Sequence, residues 1–325
     1  MQQQETDALV RELDAVARRA VPHPDCRACR GSGAVLADRP DGTVVRHGHA
    51  VAKAHAPDTE AAAHRVRLAV AAHPRLAGIL LPPLPVAARE VGGRPVSAWP
   101  YGSPVDPGDP EAAPWEQAAT LLARLHRVPP GDLPGPLPVM RGPAKAARAV
   151  ARMTAAGPHP AAAPVRAAWR RLPAWARDEA PGPAVPPGTG AALCHGDLHL
   201  GQLVRHPAAT GPWLLIDVDD LGVGEPAWDL ARPAAWYAAG LLAPRVWDRF
   251  LGAYRAAGGP AVPADGDPWP RLDVPARALT VQTAALAIAK STAESRDLDD
   301  VELSVIDACT RIATLPPELD AAAPS

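Results

Sequence analysis

Residues 195–204 read HGDLHLGQLV: two histidines, an aspartate and a glutamine crowded into one loop between apolar flanks. A lone aspartate in a loop is ordinarily a turn former or a helix cap. Asp197 is not alone. Gln202 follows five positions later, and Asp217 closes the apolar run LLID within WLLIDVDD. A carboxylate at the end of a buried strand is costly unless something pairs with it. Magnesium, which takes hard oxygen ligands from carboxylates, amides and phosphates, is a partner that fits.

The order and spacing resemble the protein-kinase catalytic loop, where a base aspartate precedes a metal-binding asparagine by five positions and a second aspartate lies on a nearby strand end. Phosphoryl transfer uses such a set: one carboxylate orients the attacking hydroxyl and accepts its proton, while an amide oxygen and a carboxylate hold metal against the phosphates. HGDLH followed by IDVDDLGVGEPAWDLA resembles the aminoglycoside phosphotransferase and choline-kinase-like family of small-molecule kinases, and LLARLHRVP at 121–129 is similar to another family segment. The likeness spans roughly residues 30–310 and is specific in 195–230.

The resemblance implies a protein-kinase-like fold that uses ATP and Mg2+. It makes Asp197 the catalytic base, Gln202 and Asp217 the metal ligands, and His195 and Asp229 structural braces. Asp219 and Asp220 receive no firm role: Asp219 is open between assisting the metal and being a solvated or capping carboxylate. His199 is left as local support. Where the family commonly has asparagine, this chain has Gln202, one methylene longer. That variant is similar to maltokinases and actinobacterial glucosamine kinases, which carry additional N-terminal structure. It favours a sugar or amino-sugar acceptor as the alternative to an antibiotic of aminoglycoside type; an inactive nucleotide-binding module is the third reading.

Upstream, residues 4–20 form an amphipathic helix with Leu9, Leu13 and Val16 on one face. AVLAD, TVVR and AVAKAHA then read as short antiparallel strands, with a helix from about Asp58 to Ala72 capped by Asp58 or Thr59. Period-two alternation puts Lys53 on the face of Val51. The kinase resemblance makes Lys53 the phosphate-binding lysine and Glu60 its partner. Two glycine loops compete to cover the phosphates: RGSG at 30–33, with Ser32 and Gly33, and RPDGT at 39–43. A hairpin turns at Gly92-Gly93 and leads to a hinge whose backbone, at Trp99 and Tyr101, is expected to meet adenine.

The expected fold class is α+β, with a small antiparallel N-terminal lobe over 1–98, a hinge over 99–105 and a larger, mainly helical lobe over 106–325. Asp109 and Pro110 are expected to start a helix carrying Trp115, Ala118, Leu122 and Leu125. Residues 127–143 and 157–190, rich in Pro and Gly, read as loops. From Trp228 to about Leu315 the pattern is mostly helical.

A formal net charge of -2 gives no electrostatic case for nucleic acid or an anionic membrane, so the expected partner is a small diffusible molecule with a hydroxyl. A polar start and the lack of a long apolar run point to the cytoplasm. Oligomeric state is not legible. Only Lys53, Lys145 and Lys290 are lysines among 33 basic residues, which suggests that those retained are needed as compact ammonium groups. Cys26 and Cys29, with His23, His47 or His49, offer a zinc knuckle, against a plain entry into a strand. The acidic segment at 294–302 reads as a helix start capped by Asp297 or Asp299, with a cation-binding patch as the alternative. Trp236 and Tyr237 read as core.

Overall fold

The computed structural model describes residues 2–21, 31, 33–39, 41–86, 90–109, 112–181 and 191–315. Its first elements in chain order are α1 (Gln2–Ala20), β1 (Ala34–Arg39), β2 (Gly42–His47), β3 (Ala50–His55), α2 (Ala61–Ala71), β4 (Glu90–Val91), β5 (Arg94–Pro100) and β6 (Ser103–Pro104). There follow α3 (Trp115–His126), α4 (Gly142–Ala155), α5 (Ala162–Arg171), β7 (Ala192–Cys194), β8 (Leu203–Arg205), β9 (Trp213–Leu215) and β10 (Gly222–Gly224). The last described elements are α6 (Ala227–Ala238), α7 (Pro244–Ala256), α8 (Trp269–Glu294) and α9 (Asp300–Thr314).

These divide into two compact units that are not continuous in sequence. One comprises residues 1–113, 131–138 and 201–219; the other comprises 114–130, 139–200 and 220–325. The simple division at 98 and 105 is thus corrected. The chain re-enters the first unit after Leu200 and leaves it again after Asp219, because the hairpin that follows the HGD loop pairs with β6.

In the first unit an antiparallel sheet runs β1-β2-β3-β5-β4, and a smaller one runs β6-β8-β9. Ala50, Ala52 and Ala54 of β3 are buried on one face, where their small side chains let Leu13, Val16 and Ala17 of α1 pack close. Val51, Lys53 and His55 alternate onto the other face, as period two requires. The β4–β5 turn places Gly92 and Gly93 at φ +56° and +72°, which glycine adopts at no steric cost.

Among its described residues the second unit is helical apart from the short antiparallel pair β7–β10. Two expectations change here. The helix expected from Asp109 begins at Trp115; Asp109 instead accepts a bond from the Ala112 amide, so its cap chemistry closes a local turn. The stretch 157–190 contains α5, with Ala162, Val165 and Ala168 buried at helical spacing. Pro164 lies in its first turn, where a proline's missing N–H removes no helical bond. α4 stands over residues that had been given no element. At α9 the cap reading holds: Asp299 accepts from the Glu302 amide, and Glu302 accepts from the Asp299 amide in return.

Candidate active site

In the first unit the face of the large sheet away from α1 and the segment after β9 supply one set of groups. Asp217 sits just beyond β9 with φ +62°, a left-handed conformation that aspartate tolerates better than most residues. Its Oδ1 lies 2.8 Å from Lys53 Nζ, and Asp219 Oδ2 lies 2.9 Å from the same nitrogen. Burial opposes the charge on Lys53, but the two carboxylates outweigh it and hold the ammonium well above the usual lysine range. Asp219 is likewise held ionised: burial would raise its pKa, but the bond from His55 and the charge of Lys53 depress it.

A relay fixes that arrangement. Trp99 Nε1 donates to Ser97 Oγ at 2.9 Å, Ser97 Oγ lies 2.7 Å from His55 Nε2, and His55 Nδ1 lies 2.8 Å from Asp219. One direction of donation, from indole to hydroxyl to imidazole to carboxylate, satisfies every member. Gln202 is buried, and its carbonyl accepts from the Ile216 amide at 2.9 Å. This backbone bond puts Gln202 and Asp217 at one end of the β8–β9 hairpin. A carboxylate and an amide are the hard oxygen donors that suit magnesium.

Other residues expected at the nucleotide are placed differently. Glu60 does not partner Lys53. It is the N-cap of α2, its carboxylate accepting from the Ala62 and Ala63 amides at 2.7 and 2.5 Å, and Asp217 and Asp219 take the role assigned to it. It therefore also replaces Asp58 and Thr59 as the cap. Gly33 lies against α1, where a Cβ would stand 2.2 Å from Asp14 Oδ1, whereas Gly42 of the competing hairpin would bring a Cβ to 3.4 Å from Lys53 Cε. Of the glycines in the two competing loops, the structure brings Gly42 to the lysine. Ser32, like Cys26 and Cys29, lies outside the described residues; His47, the proposed zinc partner, bonds Asp14 at 2.7 Å. Trp99 continues β5 opposite Val51, and the Tyr101 amide donates to the His49 carbonyl at 2.7 Å. The expected adenine-facing backbone is thus engaged within the sheet at both residues.

In the second unit the HGD loop leaves β7 and is held from beneath. The Asp229 carboxylate accepts from the His195 and Gly196 amides at 2.6 and 2.7 Å and lies 2.9 Å from His126 Nε2. His126 Nδ1 lies 2.7 Å from Tyr254 Oη, which accepts from the Ala261 amide at 3.0 Å. Asp229 is fully buried; burial pushes its pKa up, yet the His126 bond and the loop amides win and hold it lowered. Gly196 has φ +83°, and a Cβ there would stand 2.4 Å from the Asp220 carbonyl oxygen, so the loop admits only glycine between His195 and Asp197.

Asp197 then meets two cations. Its Oδ1 is 3.0 Å from Arg232 and 3.1 Å from Lys145 Nζ. Burial would raise its pKa, but Lys145 and Arg232 outweigh burial and hold it well below the usual carboxylate range. Lys145 also lies 2.7 Å from Asp220, whose other oxygen bonds Arg141. Asp197, Lys145, Arg232 and Trp228 line an open pocket.

The sequence reading missed Lys145, Arg232, Arg141, His55 and His126. Two left a usable trace: Lys145, as one of three lysines, and His126, within LLARLHRVP. Tyr237, read as core, stacks on Trp247 and Trp269 at 5.4 and 6.2 Å between ring centroids.

No curated protein matches the chain. Solved structures do. A choline/ethanolamine kinase family protein from Mesorhizobium loti is 16% identical, with TM-score 0.59 and 98% of each chain covered. A choline kinase from Streptococcus pneumoniae is 13% identical, with TM-score 0.56, covering 87% of this chain and 93% of that one. A spectinomycin phosphotransferase solved with ADP and spectinomycin is 13% identical, with TM-score 0.51, over 90% and 92% of the two chains. They share the fold expected from the HGD loop, an antiparallel sheet followed by a helical part. The sequence model of the phosphotransferase enzyme family matches residues 35–272, and the chain belongs to that family.

Proposed function

We propose that the protein transfers the γ-phosphoryl group of ATP to a hydroxyl of a small polar molecule. The observation that carries this is Asp197, ionised and fixed by two cations at the wall of an open pocket. A carboxylate so placed accepts the proton of an incoming hydroxyl as the oxygen attacks phosphorus. Lys145 and Arg232 orient it, and the brace from Asp229 through the Gly196 amide keeps the loop in place. Lys53 is the phosphate-binding cation, released from its carboxylates when phosphate oxygens replace them. Gln202 and Asp217 would hold Mg2+, which when bound neutralises charge on the phosphates.

The similar structures include both choline kinases and a spectinomycin phosphotransferase, so an antibiotic of aminoglycoside type and a small amino alcohol both fit their names, and Gln202 favours a sugar or amino sugar. No described helix is long and apolar enough to cross a membrane, and a cytoplasmic site, where ATP is abundant, suits the reading. The test is ADP release from Mg-ATP over a panel of hydroxylated small molecules, with thermal shift by Mg-ATP alongside. Saturable, acceptor-dependent ADP release is expected. Neither a nucleotide-induced shift nor release would leave the inactive-module reading standing.

A further inference from the structure

The helical unit opens two pockets that share Arg232 and Leu279. The first contains Asp197 and Lys145 with Trp228 and Gln282. The second continues past Arg232 to Trp236, Thr280 and Thr283 and holds about 10 Å³, room for little more than a water. A molecule whose hydroxyl reaches Asp197 therefore has Arg232 beside it.

The chemistry of this lining is one-sided. Among the described residues, Asp197 is the only carboxylate that lines the first pocket, and none lines the second. Asp197 is itself matched by two cations, one of which, Lys145, it shares with Asp220. Three groups are left with open valences. Arg232 uses Nε on the Leu198 carbonyl and one terminal nitrogen on Asp197, leaving the other terminal nitrogen of its guanidinium open. The Trp236 indole N–H is shielded and has no partner among the described residues. Gln282 is 5% exposed and lines the first pocket, and its side-chain amide makes no hydrogen bond to the described residues. Two of these three only donate, and buried donors left unmatched are costly. An ammonium here would find cations where it needs carboxylates.

We propose that the acceptor carries an anionic oxygen group, a carboxylate or a phosphate, beside the hydroxyl that is phosphorylated. Arg232 and Gln282 bind that group, and the pocket turns away polycationic aminocyclitols and quaternary amines. The inference rests on the kinase reading and narrows its substrate class. It favours the sugar-like alternative in acidic form over cationic antibiotics.

The test sorts the ADP-release panel by charge: hydroxy acids, sugar acids and sugar monophosphates in one arm, neutral sugars in a second, aminoglycosides and choline in a third. The first and last members of the anionic arm separate carboxylate from phosphate. The anionic arm is expected to give the highest kcat/KM. Arg232→Gln is expected to raise the acceptor KM about tenfold or more, the scale of one charge-assisted bond, with the KM for ATP unchanged and Arg232→Lys restoring part of the loss. Preference for the neutral or cationic arm overturns the proposal, as does an equal rise in both KM values. If Mg-ATP binds but nothing in the panel turns over, malate and glucose 6-phosphate serve as thermal-shift probes. A shift lost in Arg232→Gln supports the proposal, and no shift overturns it. Failure of Mg-ATP to bind overturns the kinase reading instead, and the same two probes still judge the pocket.

Discussion

The two units treat charge in opposite ways. In the first, one cation, Lys53, is held by two carboxylates, Asp217 and Asp219. In the second, one carboxylate, Asp197, is held by two cations, Lys145 and Arg232. Both central groups are partly buried, and both stay charged because their two partners outweigh burial. The surplus, however, has opposite sign. Around Lys53 the extra carboxylate suits a metal cation; around Asp197 the extra cation suits a phosphoryl group and an anionic acceptor. Two of the chain's three lysines stand at these two places.

Exchanging the central charges is the strongest way to break this comparison. Asp197→Asn removes the proton acceptor and should lower kcat by roughly a thousandfold or more, the usual range for a general base, while Mg-ATP binding by calorimetry stays near wild type. Lys53→Met should do the reverse: weaker ATP binding, with kcat/KM for ATP down on the order of a hundredfold. If both variants lost nucleotide binding equally, the division of labour between the units would be wrong.

A second test sharpens the electrostatic claim. Because Asp197 is held well below the usual carboxylate range, it stays ionised throughout the neutral and mildly acidic range, and its titration should leave kcat/KM unaffected down to about pH 5. Lys145→Met removes one stabilising cation, so the folded-state pKa of Asp197 rises. The acid limb should then move upward by roughly one pH unit or more. A pH profile that keeps its acid limb in place would show that Lys145 acts on something other than the base.

The smallest effect is expected at Glu60. Its carboxylate caps α2 and is solvent-exposed, so Glu60→Gln should leave the KM for ATP unchanged and lower the melting temperature only slightly. A large rise in that KM would restore Glu60 to the partnership with Lys53 expected from the sequence.

That misassignment shows where local reading stops. Lys53 was legible because β alternation is a local property: it shares a face with Val51 whatever lies above. Its partner was not legible, because the strand-then-helix order places Glu60 near without saying which way its carboxylate turns. A free helix N-terminus with unpaired amides claimed it. The 39–43 and 30–33 loops competed in sequence, and the packing of Gly33 against Asp14 and of Gly42 against Lys53 separated them. α5 was hidden because proline counts as a breaker by composition, while its position in the first turn makes it harmless.

By itself the sequence determined the backbone-level facts: the antiparallel strands, the glycine at 196, the five-residue spacing from Asp197 to Gln202, and the aspartate ending the β9 run. Each follows from dihedral limits and periodicity within a few residues. Tertiary structure decided which charge meets which. Lys53 and Asp217 are 164 residues apart, Lys145 and Asp220 are 75 apart, and Asp197 and Arg232 are 35 apart. Ion pairing acts over a few ångströms and falls steeply in water. It is therefore set by how the chain packs, a fact that no stretch of neighbouring residues contains.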